Sequence, residues 1–171
     1  WRVPKWMPAG TWGALPSSQL FGPAIMKSMT HFLSDGPGNA ETTILLAHGA
    51  GAPMDSDWMN EMALALVAQD IRVLRFEFAY MAARREGQRP PPAPANRLIA
   101  EYLAAVDAAR ATGKLIIGGK SLGGRMASMI ADQLYSKGDI AGLLCLGYPF
   151  HPPGSPLKLR TDHLTGLQTP T

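Results

Sequence analysis

The sequence predicts an α/β fold, a mainly parallel sheet flanked by helices, on three observations. From Thr43 onward, short apolar runs alternate with segments whose apolar residues recur at helical spacing, the pattern of strand–helix–strand units around a buried parallel sheet. Glycines cluster where two of those runs end, as tight strand-to-helix turns require. The 171 residues are 46% hydrophobic and 17% charged, enough for one domain with a sizeable core and too apolar for a disordered chain. The net charge of +3 is scattered apart from Arg84, Arg85 and Arg89, which makes no case for a nucleic-acid partner. A single cysteine, Cys145, excludes an internal disulfide and a Cys-based zinc site, and suits a reducing compartment. No apolar stretch approaches the roughly 18–20 residues that span a bilayer, and no leader pattern opens the chain, so a soluble, cytoplasmic protein with no membrane partner is expected.

Residues 1–42 are expected to be irregular, because Pro4, Pro8, Pro16, Pro23 and Pro37 alternate with glycines and break every period. The chain opens on Trp1, so part of this segment is expected to be non-native, with Met26 and Met29 as candidate starts. The domain is placed over 43–171. Thr43–Ala47 is its first strand. Asp57 is then positioned to cap a helix whose apolar face carries Met59, Met62, Ala63, Leu66 and Val67, ending before Asp70. Ile71–Phe76 is the second strand. Glu77–Ala95 holds three arginines and four prolines and is expected to be a long irregular excursion of the kind that covers sites. Asn96 caps the next helix, striped by Ile99, Leu103 and Val106 and closed by Gly113. Lys114–Ile117 forms the third strand. Ser121–Lys137 is predicted helical on Leu122, Met126, Met129, Ile130 and Leu134, with Gly138 as its stop, and Ile140–Leu146 is the last strand. The methionines read as core packing.

The chemistry concentrates at Gly119-Lys-Ser-Leu-Gly123, a G-x-S-x-G pattern lying between a predicted strand and a predicted helix. Gly119 and Gly123 leave room for a turn too tight for side chains, which lifts the Ser121 hydroxyl clear at a helix N-terminus whose amides favour negative charge. The alternative is a serine present by chance in a glycine-rich turn. His48-Gly49-Ala50-Gly51 follows the first strand and reaches the same sheet edge. The N–H groups of Ala50 and Leu122 would together form an oxyanion hole, a single donor being worth about 2.7–4 kcal/mol in a transition state. His48 is expected to shape that loop through backbone hydrogen bonds rather than to move protons. A phosphate-binding P-loop is excluded, since the glycine it needs falls on Lys114. A dinucleotide fingerprint at Gly49 and Gly51 lacks its third small residue, position 54 being Met54, although Glu77 could imitate its ribose-binding acid, so a nucleotide-binding βαβ module stays as a further alternative.

Four segments together resemble the α/β-hydrolases of dienelactone-hydrolase type: Leu45–Gly51, Arg75–Phe78 with Tyr80, Gly118–Arg125 and Leu146–His151. More narrowly they are similar to the branch that holds the testis-expressed and non-specific-lethal-complex hydrolase-like proteins. The resemblance runs from about Thr43 to Thr171. It implies Ser121 as nucleophile, the Ala50 and Leu122 amides as oxyanion hole, a small acyl or ester substrate, no metal and no organic cofactor. It also implies a partial α/β-hydrolase fold with late strands missing, because the order serine, acid, histidine would place the acid and base beyond Thr171.

Tyr80, Arg84, Arg85, Tyr148 and His151 are candidate pocket residues. Arg84, Arg85 and Arg89 are candidates to receive an anionic substrate or partner, with a solvated loop as the alternative. Asp55 and Asp57, near His48, raise a metal site, yet capping explains Asp57 without one. Asp162 and His163 are adjacent in a segment read as extended, where neighbouring side chains point apart, so an acid–base pair is not expected there. His151 is expected at a pocket mouth or on a local carbonyl. A non-catalytic scaffold of the same fold, binding a protein or a small acyl ligand, is the alternative function.

Overall fold

The computed structural model describes residues 30–109 and 111–171. Its five strands are β1 (Phe32–Asp35), β2 (Thr42–Ala47), β3 (Arg72–Phe76), β4 (Lys114–Lys120) and β5 (Gly142–Leu146), in the sheet order β1-β3-β2-β4-β5. β2, β3, β4 and β5 are parallel to their neighbours; β1 adds to β3 antiparallel, Phe32 opposite Phe76. Helices α1 (Asp57–Val67), α2 (Ala79–Arg85), α3 (Ala95–Ala108), α4 (Leu122–Ser128) and α5 (Ala131–Lys137) complete the order.

β2 shows why the central strands read as unbroken apolar runs. Successive side chains face opposite sides of a sheet, and both sides are covered. Ile44 and Leu46 pack with Met59 and Ala63 of α1 and Val73 of β3. Leu45 and Ala47 face the other way, into a core with Leu98 and Tyr102 of α3, Met126 of α4 and Leu134 of α5. The register sets Ala47 beside Gly119 on one side and Phe76 on the other, so the loops after β2, β3 and β4 leave the same sheet edge.

Several expectations are corrected. β1 lies inside the segment read as irregular; only four residues long, it pairs at the sheet edge and stays partly exposed, so it carries no clean alternation. Residues 1–29, with Met26 and Met29, lie outside the described residues. Ala79–Arg85 is helical rather than irregular, since Tyr80 and Met81 anchor an alanine-rich turn in the core before the prolines begin. The caps shift, by one residue at α1 and by two at α3: Ser56 precedes α1 and Pro94 precedes α3, neither with a side-chain cap bond, leaving Asp57 and Asn96 in first turns. Asp57 therefore supports α1 through the helix dipole rather than by capping. The helix expected over Ser121–Lys137 breaks between Ser128 and Ala131, and Met129 turns outward to 39% exposure. Beyond the break, the Asp132 carboxylate accepts the N–H groups of Gln168 and Thr169 and the Thr169 hydroxyl. These bonds hold the Asp132 carboxyl below its ordinary range. Gly138 ends α5 in the left-handed conformation, φ 77°.

Candidate active site

Ser121 stands between β4 and α4 with φ 49° and ψ −106°, a left-handed backbone that a non-glycine residue adopts only when its surroundings force it. Three contacts do so. The Ser121 N–H donates to the Leu146 carbonyl at 2.8 Å, tying the turn to the end of β5. Gly119 and Gly123 lie so close to the Ala47 carbonyl oxygen that a Cβ on either would collide with it. The strand and the helix thus close onto the end of β2, and the serine is half-buried at the sheet edge. Its hydroxyl makes no hydrogen bond to any described residue.

The loop after β2 runs beside this turn, with Gly49 packed near the Lys120 carbonyl. Neither the Ala50 nor the Leu122 N–H has an acceptor among the described residues. Leu122 is the first residue of α4, where an intrahelical acceptor is lacking by construction. Fixed, free amides on a loop and at a helix start can hold a developing negative charge.

His48 is fully buried beneath that loop. Its Nδ1 lies 2.6 Å from the Gly49 carbonyl, and its Nε2 accepts the Phe78 N–H at 3.2 Å. An Nε2 that accepts must carry a lone pair, so the proton sits on Nδ1 and the ring is neutral. Burial pushes its pKa down, in keeping with that state. Both nitrogens are occupied. Tyr80 packs edge-on to His48 and donates toward the Gly49 and Ala50 carbonyls at 3.4 and 3.3 Å, while burial raises its phenol to about 12.

Arg84 and Arg85 are occupied too. Arg84 donates to the Pro90 carbonyl and, at 3.4 Å, to the Ala50 carbonyl, joining the proline segment to the loop after β2. Arg85 bridges Glu77 and Asp55, so Asp55 serves an ion pair and its carboxyl is held low by it. Gly51 lies in the same loop in open space.

A second set of residues was not legible. Glu77 accepts the Met54 N–H at 3.1 Å, and Arg75 donates to the Met54 carbonyl at 2.8 Å. The peptide groups on both sides of Met54 are thereby clamped to the end of β3. Arg75 also reaches Asn60 and Asp35. Arg75-Phe-Glu-Phe78 carried the only sequence signal, as part of the family resemblance, and Glu77 serves the loop rather than a ribose. Lys120 lies over the Trp58 ring at 4.3 Å, joining the turn to α1.

The later histidines are away from Ser121. His151 is exposed, 3.0 Å from the Pro152 carbonyl. Asp162–Leu164 is a 3-10 turn rather than extended, and it points His163 at Ser128 (2.9 Å) and Tyr148 (3.3 Å). The Ser128 and Tyr148 hydroxyls already donate to the Arg125 and Arg160 carbonyls, so the His163 Nε2–H is the donor to both. Ser128 is a rise of about 10 Å along α4 from Ser121. A cavity of about 790 Å³ is lined by residues such as Leu33, Met54, Glu77 and Arg85, and Ser121, Ala50 and Leu122 form no part of it.

Residues 40–171 match the family model described as an alpha/beta hydrolase domain. A putative hydrolase from Agrobacterium vitis S4 is similar at a TM-score of 0.55 and 19% identity, over 78% of this chain and 53% of that one. Est1E from Butyrivibrio proteoclasticus, in a structure with bound ferulic acid, gives 0.51 and 16% over 67% and 47%. The Paleococcus ferrophilus monoacylglycerol lipase gives 0.50 and 16% over 72% and 46%. Likeness at these identities is one of fold, and the chain spans about half the length of these structures. Among the described residues, no helix is long and apolar enough to cross a membrane.

Proposed function

We infer that this chain, which belongs to the alpha/beta hydrolase domain family, carries the nucleophile and oxyanion hole of a serine hydrolase acting on a small acyl or ester substrate. The single observation that carries the reading is the backbone of Ser121: a left-handed serine between strand and helix, beside two amides without acceptors. Such a turn costs about 1–3 kcal/mol and persists where a function uses it.

On this reading the Ser121 Oγ attacks the acyl carbonyl carbon and its proton passes to a histidine. The carbonyl oxygen becomes an oxyanion held by the Ala50 and Leu122 N–H groups. Collapse expels the alcohol, which takes the proton back, and leaves an acyl-serine that water hydrolyses by the same steps in reverse. His48 holds the oxyanion loop and has no free nitrogen for that proton. No described histidine hydrogen-bonds the Ser121 hydroxyl, and the dienelactone-hydrolase-type branch that the four segments resemble takes its acid and its base, in that order, from positions later in the sequence than the serine. Pro170, whose carbonyl accepts the Leu143 N–H at 2.8 Å, runs beside β5. The single cysteine suits a cytoplasmic location.

One observation favours a second reading, a scaffold that binds without turnover: no described residue hydrogen-bonds the Ser121 hydroxyl. A fluorophosphonate, which bonds only to activated serines, separates the two. Intact mass of the natural full-length chain is expected to rise by one adduct mapped to Ser121, and Ser121→Ala is expected to abolish it and to lower ester turnover by about 10⁶. A folded full-length chain that takes no adduct would favour the scaffold.

A further inference from the structure

Arg125 closes the Gly118–Arg125 motif, and the serine chemistry makes no use of it. It lies one turn along α4 from Ser121, its N–H on the Ser121 carbonyl at 3.0 Å. Its Nε is buried and has no hydrogen-bond partner among the described residues. Its terminal guanidinium nitrogens are not closed off in this way and also have no acceptor among the described residues, so they are the donors that a ligand in the neighbouring cavity can meet. Arg125 lines a cavity of about 450 Å³ with Lys158, Arg160, Asp162 and His163. Three cations against one carboxylate leave the lining at +2, and none of the three cations is in an ion pair among the described residues.

The far wall is held in place. The Arg160 N–H donates to the Phe150 carbonyl at 2.8 Å and its own carbonyl accepts the Tyr148 hydroxyl at 2.9 Å. His163, fastened to Ser128 and Tyr148, joins the same wall to α4. Both arginines are therefore carried on backbone fixed by hydrogen bonds, and Lys158 stands exposed at the rim. Planar guanidinium donors facing one cavity suit the oxygens of a tetrahedral anion, and a lysine adds a point charge at its edge.

We propose that this cavity is an anion site that receives a phosphate group, with Arg125 as its floor and Lys158 and Arg160 as its rim. The site goes beyond the hydrolase reading and stands whether or not Ser121 is reactive. The test is calorimetric titration of the full-length chain with inorganic phosphate at low ionic strength, where screening is least. Saturable binding with a dissociation constant of about 1 mM or tighter is expected. Arg125→Met, which keeps much of the packed stem, is expected to weaken it about tenfold or more. Lys114→Gln, at the far end of β4, is expected to leave it unchanged. Methyl phosphate serves as the second probe. If it competes as well as phosphate, the cavity takes the phosphoryl end of a larger molecule; if only phosphate binds, it holds the free ion, and either result supports the site. No saturable binding, or equal binding by Arg125→Met, overturns it. Should Arg125→Met fail to fold by circular dichroism, the doubly substituted Lys158→Gln, Arg160→Gln chain carries the test, and unchanged affinity there overturns the proposal. Fluorophosphonate labelling of the same proteins keeps the two readings apart. A chain that labels without binding phosphate loses only the anion site, and one that binds without labelling loses only the nucleophile.

Discussion

His48 shows how one buried side chain links the loop after β2 to pH. The unfolded chain takes up its proton near pH 6.5, whereas burial sets the folded value lower. Below about 6.5 the unfolded state therefore binds a proton that the folded state refuses, so the His48 contribution is complete above that pH and is lost as pH falls through it. His163, lowered mainly by burial, adds in the same direction. The melting temperature is expected to decline as pH falls below about 6.5, and His48→Gln is expected to flatten that decline; an unchanged slope would remove His48 as its cause. Tyr102 is a second buried lever. Its hydroxyl accepts the Gly118 N–H at 2.9 Å and lies 2.6 and 3.1 Å from the Gly118 and Leu45 carbonyls, beneath the last turns of β2 and β4. Tyr102→Phe strands those buried groups and is expected to cost about 1–3 kcal/mol in chemical denaturation.

At the scale of elements, the β4–α4 turn depends on the absence of side chains at two positions. Gly119→Ala drives a Cβ into the Ala47 carbonyl and cannot be relieved without parting β4 from β2. A loss of about 1–3 kcal/mol or more is expected in denaturant midpoints, together with loss of Ser121 labelling; an alanine variant that labels normally would show that the turn tolerates the shift. The same turn was legible in the sequence because it is local, five residues between a strand and a helix. β2, β3, β4 and β5 were legible because burial on both faces makes each one a short apolar run. β1 was not, since Phe-Leu-Ser-Asp at an edge has no alternation of its own and is defined by a partner about 40 residues later. α2 was merged with the prolines that follow it, because seven residues give too few turns for a helical stripe to stand out. The break between α4 and α5 was hidden by an apolar pattern that runs across it. Within the site, the turn and the His48–Gly51 loop could be read locally. The roles of Arg75, Glu77, Arg84 and Arg85 could not, because each is set by partners brought together only by folding.

Across the whole molecule, Arg75 connects more separate parts than any of those local features. It lies on β3 at 4% exposure and donates to Asp35 on β1, the Met54 carbonyl beyond the His48–Gly51 loop and Asn60 on α1. Glu77, two residues on, takes the Met54 N–H from the other side and passes the connection through Arg85 to Asp55. The loop that carries Ala50 is therefore anchored four residues downstream to the sheet itself. The Asp35 carboxylate is 30% exposed and partly screened, so Asp35→Asn is expected to cost no more than about 1 kcal/mol. Arg75→Met leaves a buried carbonyl and the Asn60 amide oxygen without donors and is expected to cost about 1–3 kcal/mol. Arg75→Lys keeps the charge, but one ammonium cannot reproduce the guanidinium fork across three acceptors, so it is expected to recover less than half of that loss. If the sheet positions the Ala50 amide through this residue, and that amide serves as proposed, Arg75→Met at a temperature where it remains folded also slows the fluorophosphonate reaction of Ser121, while Asp35→Asn does not. Equal labelling rates for the two variants would make Arg75 a fastening of the fold alone.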